Sequence, residues 1–150
     1  MENVPASKAN PLPVDRSCSV ANTLTILADR WTFLVLREAF FGACHYDEFL
    51  GNLGVATNVL SHRLKSLVEN GILSRKSDEA DKRRFIYRLT EKGLDLYGIT
   101  LALMKWGDKW LAGKEGPPLV LRHEPCGKRL DPVMSCRACG GEIVPQDVSF

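Results

Sequence analysis

The sequence predicts a mainly α-helical fold with one small β-hairpin, followed by a short Cys-rich β appendage. Two observations predict it: apolar residues recur at helical spacing through most of residues 18–113, and a single pair of β-prone runs interrupts them. A chain of 150 residues buries one main core with room for small appendages. We therefore expect a disordered N-terminal arm over residues 1–17, a main domain over 18–113 and a Cys-rich extension over 114–150.

Four helices are expected before the hairpin, because apolar residues follow a helical period and turn residues mark the ends. The first two are expected to end at Gly42. A short helix over residues 46–53 precedes a turn at Gly54, and a longer one over residues 57–70 ends at the Asn70-Gly71 pair. The predicted core residues of these helices are Val20, Leu24, Leu27, Trp31, Leu34, Leu36, Phe40, Phe49, Leu50, Leu53, Leu60, Leu64, Leu67 and Val68.

A two-stranded hairpin and a long helix complete the predicted main domain. The runs "ILSRKS" and "RRFIYRLT" have strand character, and the polar segment "DEADK" separates them. Thr90 is expected to cap the long helix that follows. The apolar face of this helix is large for a peripheral helix. Ordinary core cover is one interpretation, but so much apolar surface on the terminal helix of a small domain favours a contact with a second subunit and hence a homodimer. The residues of this face are Leu94, Tyr97, Leu101, Met104 and Trp106.

Helix, tight turn, helix and a two-stranded wing form a winged helix-turn-helix, in which the second helix enters the major groove and the wing approaches the DNA backbone or minor groove. Residues 55–90 hold eight Lys or Arg against four Asp or Glu, which suits an anionic partner such as double-stranded DNA. Short polar side chains on the second helix can reach base edges, whereas its basic residues and those of the wing would hold phosphates. The residues assigned to this contact are Thr57, Asn58, Ser61, His62, Arg63, Lys65, Lys76, Lys82, Arg83 and Arg84.

Three segments resemble the HxlR-type branch of the MarR-like winged-helix transcription regulators: "CSVANTLTILADRWTFLVLREAFFG", "YDEFLGNLGVATNVLSHRLKSLVENGIL" and "RRFIYRLTEKG". The resemblance covers residues 18–111 and implies a dimeric bacterial repressor or activator, with dimer contacts from the first and last helices. One departure concerns the start of the recognition helix. Family members usually carry Ser then Pro there, whereas this chain has Ala56 then Thr57, so we expect the N-cap at Thr57.

Two other function classes compete with DNA binding. Catalysis is disfavoured because the candidate groups Cys44, His45, Asp47 and Glu48 are neighbours in sequence, and neighbouring side chains rarely converge on one substrate atom. The alternative is a winged-helix protein-interaction module with a zinc-ribbon-like tail and no direct operator reading. Such a module would usually expose apolar anchors on its second helix, where this chain has polar residues.

Cys18 is the candidate redox-sensing residue. The chain shows neither a signal peptide nor a membrane span, which predicts a cytoplasmic protein whose five cysteines are thiols or metal ligands. Cys18 begins the first helix, where the helix dipole and Arg16 favour the thiolate. The resemblance adds that some HxlR-type regulators look like sensors of oxidants, quinones or aldehydes through a cysteine here. A small residue with no redox role, or an effector bound between the helices, is the alternative.

The C-terminal extension offers four candidate metal ligands, His123, Cys126, Cys136 and Cys139. They form two similar turns, each with ligands three residues apart and a following glycine. The run "KRLDPVMS" between them reads as two short strands about an Asp131-Pro132 turn, which would bring both turns onto one structural zinc in a zinc-ribbon-like unit. Three free thiols, or a disulfide joining Cys126 to Cys136 or Cys139, are the alternatives.

Overall fold

A computed structural model describes residues 18–149, so the predicted arm over residues 1–17 lies outside the described part of the chain. Within residues 18–149, none of the helices is long and apolar enough to cross a membrane. The elements are α1 (Ser19–Leu27), α2 (Arg30–Phe40), α3 (Tyr46–Leu53), α4 (Thr57–Glu69), β1 (Leu73–Ser77), β2 (Phe85–Leu89), α5 (Glu91–Leu94), α6 (Leu96–Trp110), β3 (Arg122–His123) and β4 (Lys128–Arg129), with short 3-10 turns at Gly113–Glu115 and Pro145–Asp147. The chain is therefore mainly helical with small antiparallel sheets, as predicted.

The core forms where α2, α3 and α4 meet the base of the hairpin. Phe49 of α3 is fully buried, and so is the α4 stripe of Leu60, Leu64 and Leu67 that the helical period predicts. Burial of each large apolar side chain contributes about 1.5–3 kcal/mol, so this stripe fixes which face of α4 points inward. The opposite face of α4 is consequently the one that meets solvent.

The prediction that α1 contributes its whole apolar stripe to this core is wrong. Leu27 is buried, but Val20 and Leu24 are 67% and 50% exposed. Helix α6 likewise has no buried residue, and Trp106 and Trp110 are 58% and 63% exposed. Periodicity identified the apolar faces of both helices, but the core of a single chain is too small to cover them.

Helix α4 begins at Thr57, one residue earlier than the predicted N-cap at Thr57 would allow. Its N-cap is Ala56, whose extended backbone carbonyl accepts from the Leu60 N–H at 3.1 Å, and Thr57 is the first helical residue. The prediction of an N-cap at Thr57 is therefore wrong. The neighbouring Val55 is buried, and this burial places the turn before Ala56 although alanine has no side-chain oxygen to cap the helix. Tyr46 Oη donates to the Thr57 carbonyl at 2.9 Å, which joins α3 to the first turn of α4 but does not satisfy the uncapped N–H groups.

The hairpin is the predicted wing, and it has a third strand-like neighbour. β1 and β2 pair antiparallel from Leu73 opposite Leu89 to Ser77 opposite Phe85. On the other edge of β2, the Tyr87 N–H donates to the Cys44 carbonyl at 2.8 Å, and His45 forms a bridge with Ile86. The segment that leads into α3 is therefore joined by backbone hydrogen bonds to the wing.

The helix after the wing is two helices instead of the one predicted. Thr90 caps α5 as expected, because its hydroxyl accepts from the Gly93 N–H at 3.1 Å, and Asp95 separates α5 from α6. Gly93 lies against the Ile72 carbonyl so closely that an added Cβ would come within 2.3 Å of that oxygen. α5 is thus held against the start of the wing by a contact that only glycine allows.

The extension forms two small hairpins, one around each cysteine turn. β3 pairs with β4, and Ser135 bridges to Glu142 around the second turn. The prediction that the two strands of "KRLDPVMS" pair about Asp131-Pro132 is wrong, because each strand pairs instead with the far side of its own cysteine turn. Lys105 of α6 joins the extension to the main domain through Asp131 at 2.6 Å and the Pro132 carbonyl at 2.7 Å.

Candidate nucleic-acid interface

The solvent-facing side of α4 is polar. Thr57, Asn58, Ser61, His62 and Lys65 are all exposed, because the buried Leu stripe occupies the other side of the helix. Ser61 Oγ also lies 3.1 Å from Tyr46 Oη. This arrangement presents hydrogen-bonding side chains without apolar anchors, which suits base edges better than a protein groove.

A groove of about 700 Å³ separates this face of α4 from the wing. Lys65 lines it on the helix side, and Arg75, Arg83 and Arg84 line it on the wing side. The Arg75 guanidinium stacks over the Phe85 ring at 3.5 Å, a cation–π contact that holds the charge on the strand. The groove therefore has basic side chains on both sides, and the carboxylates of Asp47 and Glu69 also line it.

Two of the wing arginines are held by carboxylates. Arg84 makes two hydrogen bonds to Asp47 of α3, at 3.0 and 2.9 Å, and Arg83 lies 3.1 Å from Asp81. The backbone N–H at Asp47 and the Arg84 guanidinium hold the pKa of the Asp47 carboxyl below its usual range. Exposed pairs of this kind contribute little stability, so either arginine can exchange its carboxylate for a phosphate.

The other predicted phosphate contacts differ in accessibility. Lys76 lies on β1 opposite Ile86 and Lys82 lies in the turn of the wing, and both are exposed. Arg63 is instead partly buried, with Nε 3.1 Å from Asp29 Oδ1. Asp29 also caps α2 by accepting from the Trp31 N–H at 2.8 Å. Arg63 thus braces α4 against α2, and a phosphate contact by Arg63 would have to compete with this pair.

Comparison with known proteins identifies the family. The HxlR-like helix-turn-helix family matches residues 26–115, more than half of the chain. The chain belongs to this family. An uncharacterized HTH-type transcriptional regulator of Mycobacterium tuberculosis is 45% identical over 131 residues, which cover 87% of this chain and 83% of that protein. As an HxlR-like protein, the chain is a transcription regulator and not an enzyme.

Two solved structures are similar to this HxlR-like chain. The crystal structure of PA1607, a candidate transcription factor, has a TM-score of 0.82 at 30% identity and covers 89% of this chain and 94% of its own. The redox regulator HypR in its oxidized form has a TM-score of 0.56 at 26% identity, covering 61% of this chain and 95% of its own. The match to PA1607 spans a larger share of the chain than residues 26–115, so it includes residues beyond the winged helix.

The two cysteine turns of the extension form as predicted, but separately. His123 Nδ1 lies 3.3 Å from Cys126 Sγ in the first turn. In the second, the backbone N–H groups of Ala138 and Cys139 and the Cys139 side chain lower the pKa of the Cys136 thiol. Over residues 18–149 these four residues do not form a group with metal-ligand spacing. Local geometry brings each pair together, whereas joining the pairs requires a contact between the two hairpins.

A different group has metal-ligand spacing among the described residues, namely Cys44, His45 and Glu48. Three of the four neighbours considered as catalytic candidates therefore lie close together, with Cys44 Sγ 3.4 Å from His45 Nδ1, whereas Asp47 pairs with Arg84. Partial burial and the Glu48 carboxylate raise the pKa of the Cys44 thiol above its ordinary value. The sequence signal was the three-residue spacing from His45 to Glu48, the spacing at which a helix N-terminus folds a carboxylate back onto the preceding residue.

Proposed function

We propose that this HxlR-like regulator binds a pseudo-palindromic operator as a homodimer, with α4 in the major groove and the wing on the flanking backbone. The observation that carries the proposal is the exposed polar face of α4, which lies beside a groove lined by Ser61 and Lys65 on the helix side and by Arg75, Arg83 and Arg84 on the wing side. Phosphate contacts fix the register of such a complex, and the polar residues at the start of the recognition helix provide sequence preference.

Exposed apolar faces on α1 and α6 support the homodimer. On α1 the exposed residues are Val20 and Leu24, and on α6 they include Leu103, Trp106 and Trp110. Large apolar side chains exposed in this number on a small domain are costly in water, and a second copy of the chain with the same two faces would bury them around a two-fold axis. Two recognition helices related by that axis would then read two half-sites one helical turn apart.

Operator binding is tested with the purified protein and the DNA upstream of its own coding region. The proposal expects a protected region with two related half-sites, a stoichiometry of two chains per site and an affinity that falls steeply with salt. Binding that is independent of DNA sequence, or capture of a protein partner without operator protection, would instead favour the protein-interaction alternative.

A redox response through Cys18 is a second candidate function. Cys18 is the N-cap of α1 and is exposed, and the similar structure HypR is described as a redox regulator. The predicted helper Arg16 lies outside the described residues. The candidate predicts that mild oxidant or a quinone changes operator affinity in the natural protein and not in Cys18→Ser. A response of equal size in Cys18→Ser would contradict it.

We also propose that the extension holds one structural zinc when both cysteine turns close on the same ion. The support is local: each turn already positions its pair, and the N–H groups around Cys136 favour its thiolate. Three thiolates and one imidazole would complete a tetrahedral shell with no open position. Elemental analysis should find zinc that is lost from the Cys136→Ser, Cys139→Ser double variant. An unchanged zinc content would contradict this site.

A further inference from the structure

Cys44, His45 and Glu48 converge at the point where the chain leaves the edge of the wing and enters α3. Cys44 Sγ lies 3.4 Å from His45 Nδ1, and Glu48 Oε1 lies 3.6 Å from the same nitrogen. One ligand atom from each residue lies within 4.8 Å of the other two. A thiol, an imidazole and a carboxylate therefore face one small volume, which is partly shielded because His45 and Cys44 are half-buried.

The Glu48 carboxylate has one oxygen committed to the fold and one facing this volume. Its Oε2 accepts from the backbone N–H groups of Cys44 at 2.7 Å and His45 at 2.9 Å. These bonds are part of a capping box at the start of α3. Capping explains the position of Oε2. Capping also involves the His45 side chain, which accepts from the Glu48 backbone N–H. It does not account for Cys44 Sγ, which lies 3.4 Å from His45 Nδ1.

The opposite nitrogen of the imidazole has the partner that a metal-bound histidine needs. His45 Nε2 lies 3.1 Å from Asp78 Oδ2, and both side chains are well shielded, at 18% and 14% exposure. A carboxylate in this position takes the proton of Nε2 as a hydrogen bond, so Nδ1 carries the lone pair. In the capping box the His45 side chain accepts from the Glu48 backbone N–H, and an ion would replace this hydrogen bond. Metal-ligating histidines almost always carry such an outer partner.

We propose that Cys44 Sγ, His45 Nδ1 and Glu48 Oε1 bind a divalent transition-metal ion of the zinc class, with Asp78 orienting the imidazole. One soft, one intermediate and one hard donor suit Zn²⁺ and its close substitutes, and three protein ligands leave a fourth position for water. Binding replaces the proton of the Cys44 thiol, which passes to solvent. This site is separate from the four candidate ligands of the extension.

The site is built into the wing, so an ion there would act on the DNA-binding surface. The Cys44 carbonyl accepts from the Tyr87 N–H of β2, His45 bridges to Ile86, and Asp78 opens the turn at the tip of the wing. A bound cation makes the imidazole a stronger donor to Asp78, which fixes the base of the tip. This regulatory step rests on the proposed function, whereas metal binding itself does not.

The test titrates Co²⁺, a spectroscopic substitute for Zn²⁺, into full-length protein in which Cys44 is the only cysteine. We expect one Co²⁺ per chain with a thiolate-to-cobalt charge-transfer absorption, and loss of that absorption on Cys44→Ser. Glu48→Gln separates metal binding from helix capping, because glutamine keeps the capping box but is a poor ligand. It should weaken Co²⁺ binding at least about tenfold, and Asp78→Asn should weaken it by about tenfold, as outer-partner losses do. The substitutions that isolate Cys44 are C18S, C126S, C136S and C139S.

Two results would overturn the site. One is the absence of thiolate absorption in a Cys44-only protein that keeps its cooperative thermal unfolding. The other is an unchanged Co²⁺ affinity in Glu48→Gln, which would leave the cluster as a helix cap alone. If the Cys44-only protein does not fold, the natural chain and its single Cys44→Ser variant are compared, and an equal number of bound Co²⁺ ions per chain would contradict the proposal.

The regulatory step is measured separately. Zn²⁺ should tighten operator binding by about tenfold in the natural protein, a typical coupling between two sites, and should have no such effect in Cys44→Ser. Metal binding without any change in operator affinity would refute the coupling. Failure of the protein to bind an operator at all would refute the proposed function without affecting the Co²⁺ result.

Discussion

Replacing Arg83 and Arg84 together by alanine should change how DNA binding depends on salt. Both guanidinium groups border the groove between α4 and the wing, and each is paired with an exposed carboxylate that a phosphate can displace. Each phosphate contact contributes about 0.9 to the slope of log K against log salt. The double variant should therefore have a slope shallower by about 1.8 on a half-site and by about 3.6 on a full operator with two protomers.

The affinity difference that follows is large enough to measure. When the salt concentration rises from about 50 to about 200 mM, the natural protein should lose about tenfold more affinity than the variant, because its slope is steeper by about 1.8. Fluorescence anisotropy with labelled operator and with an unrelated duplex is the assay, because the loss of phosphate contacts should weaken binding to both sequences alike. Lys114→Ala, an exposed charge beyond α6, is the matched control.

Asp47→Asn should change the DNA affinity in the opposite direction to the double arginine variant. The Asp47 carboxylate holds Arg84 in the free protein, with side chains that are 72% and 41% exposed. An exposed pair contributes about 0.2–1 kcal/mol, so its removal should tighten DNA binding by no more than about fivefold. Equal slopes in the natural protein and the double arginine variant, or weaker binding in Asp47→Asn, would refute the assignment of the wing to the interface.

Three further predictions concern other parts of the molecule. Asn58→Ala should alter which operator sequence is preferred, at about 1–3 kcal/mol of base discrimination, in a competition with single-base operator variants; equal weakening on all sequences would mean that Asn58 does not read bases. Trp106→Glu should weaken self-association at least about tenfold in sedimentation analysis, because Trp106 is 58% exposed on the α6 face proposed to pair. The Ala80 N–H and the His45 side chain hold the pKa of Asp78 below its usual range, so the stability that Asp78 contributes is present above about pH 4 and is lost as the pH falls further. The thermal midpoint should therefore fall less between about pH 4 and lower pH in Asp78→Asn than in the control Glu79→Gln. An equal fall in both variants would contradict this prediction.

Local sequence features predicted the elements that position the proposed DNA-binding surface. The limits of α3 agree with the structure because Gly54, at φ 58°, takes a conformation that ends a helix. The Leu60, Leu64 and Leu67 stripe predicted which face of α4 is buried, and hence which face is polar and exposed. Both features depend on interactions within a few residues, which a single sequence records.

Partners distant in sequence were not predictable in the same way. The sequence predicted a basic wing that includes Arg84. It did not predict which carboxylate pairs with Arg84, because Asp47 lies 37 residues earlier. Similarly, the period of α1 marked Leu24 as apolar without showing whether its own chain or a second copy covers it. The N-cap of α4 failed for a related reason, since the burial of Val55 decided where the helix begins.

One cluster depends both on local sequence features and on a partner distant in sequence, namely Cys44, His45 and Glu48. The return of Glu48 onto the residues before α3 is local and follows from the three-residue spacing of a capping box. The orientation of the imidazole is not local, because Asp78 lies 33 residues further along the chain and reaches His45 only when the wing pairs with the segment before α3. A metal-binding geometry therefore exists only in the folded wing. Any ion that prefers this geometry must also stabilise the wing, since binding to the folded form alone shifts the equilibrium toward it.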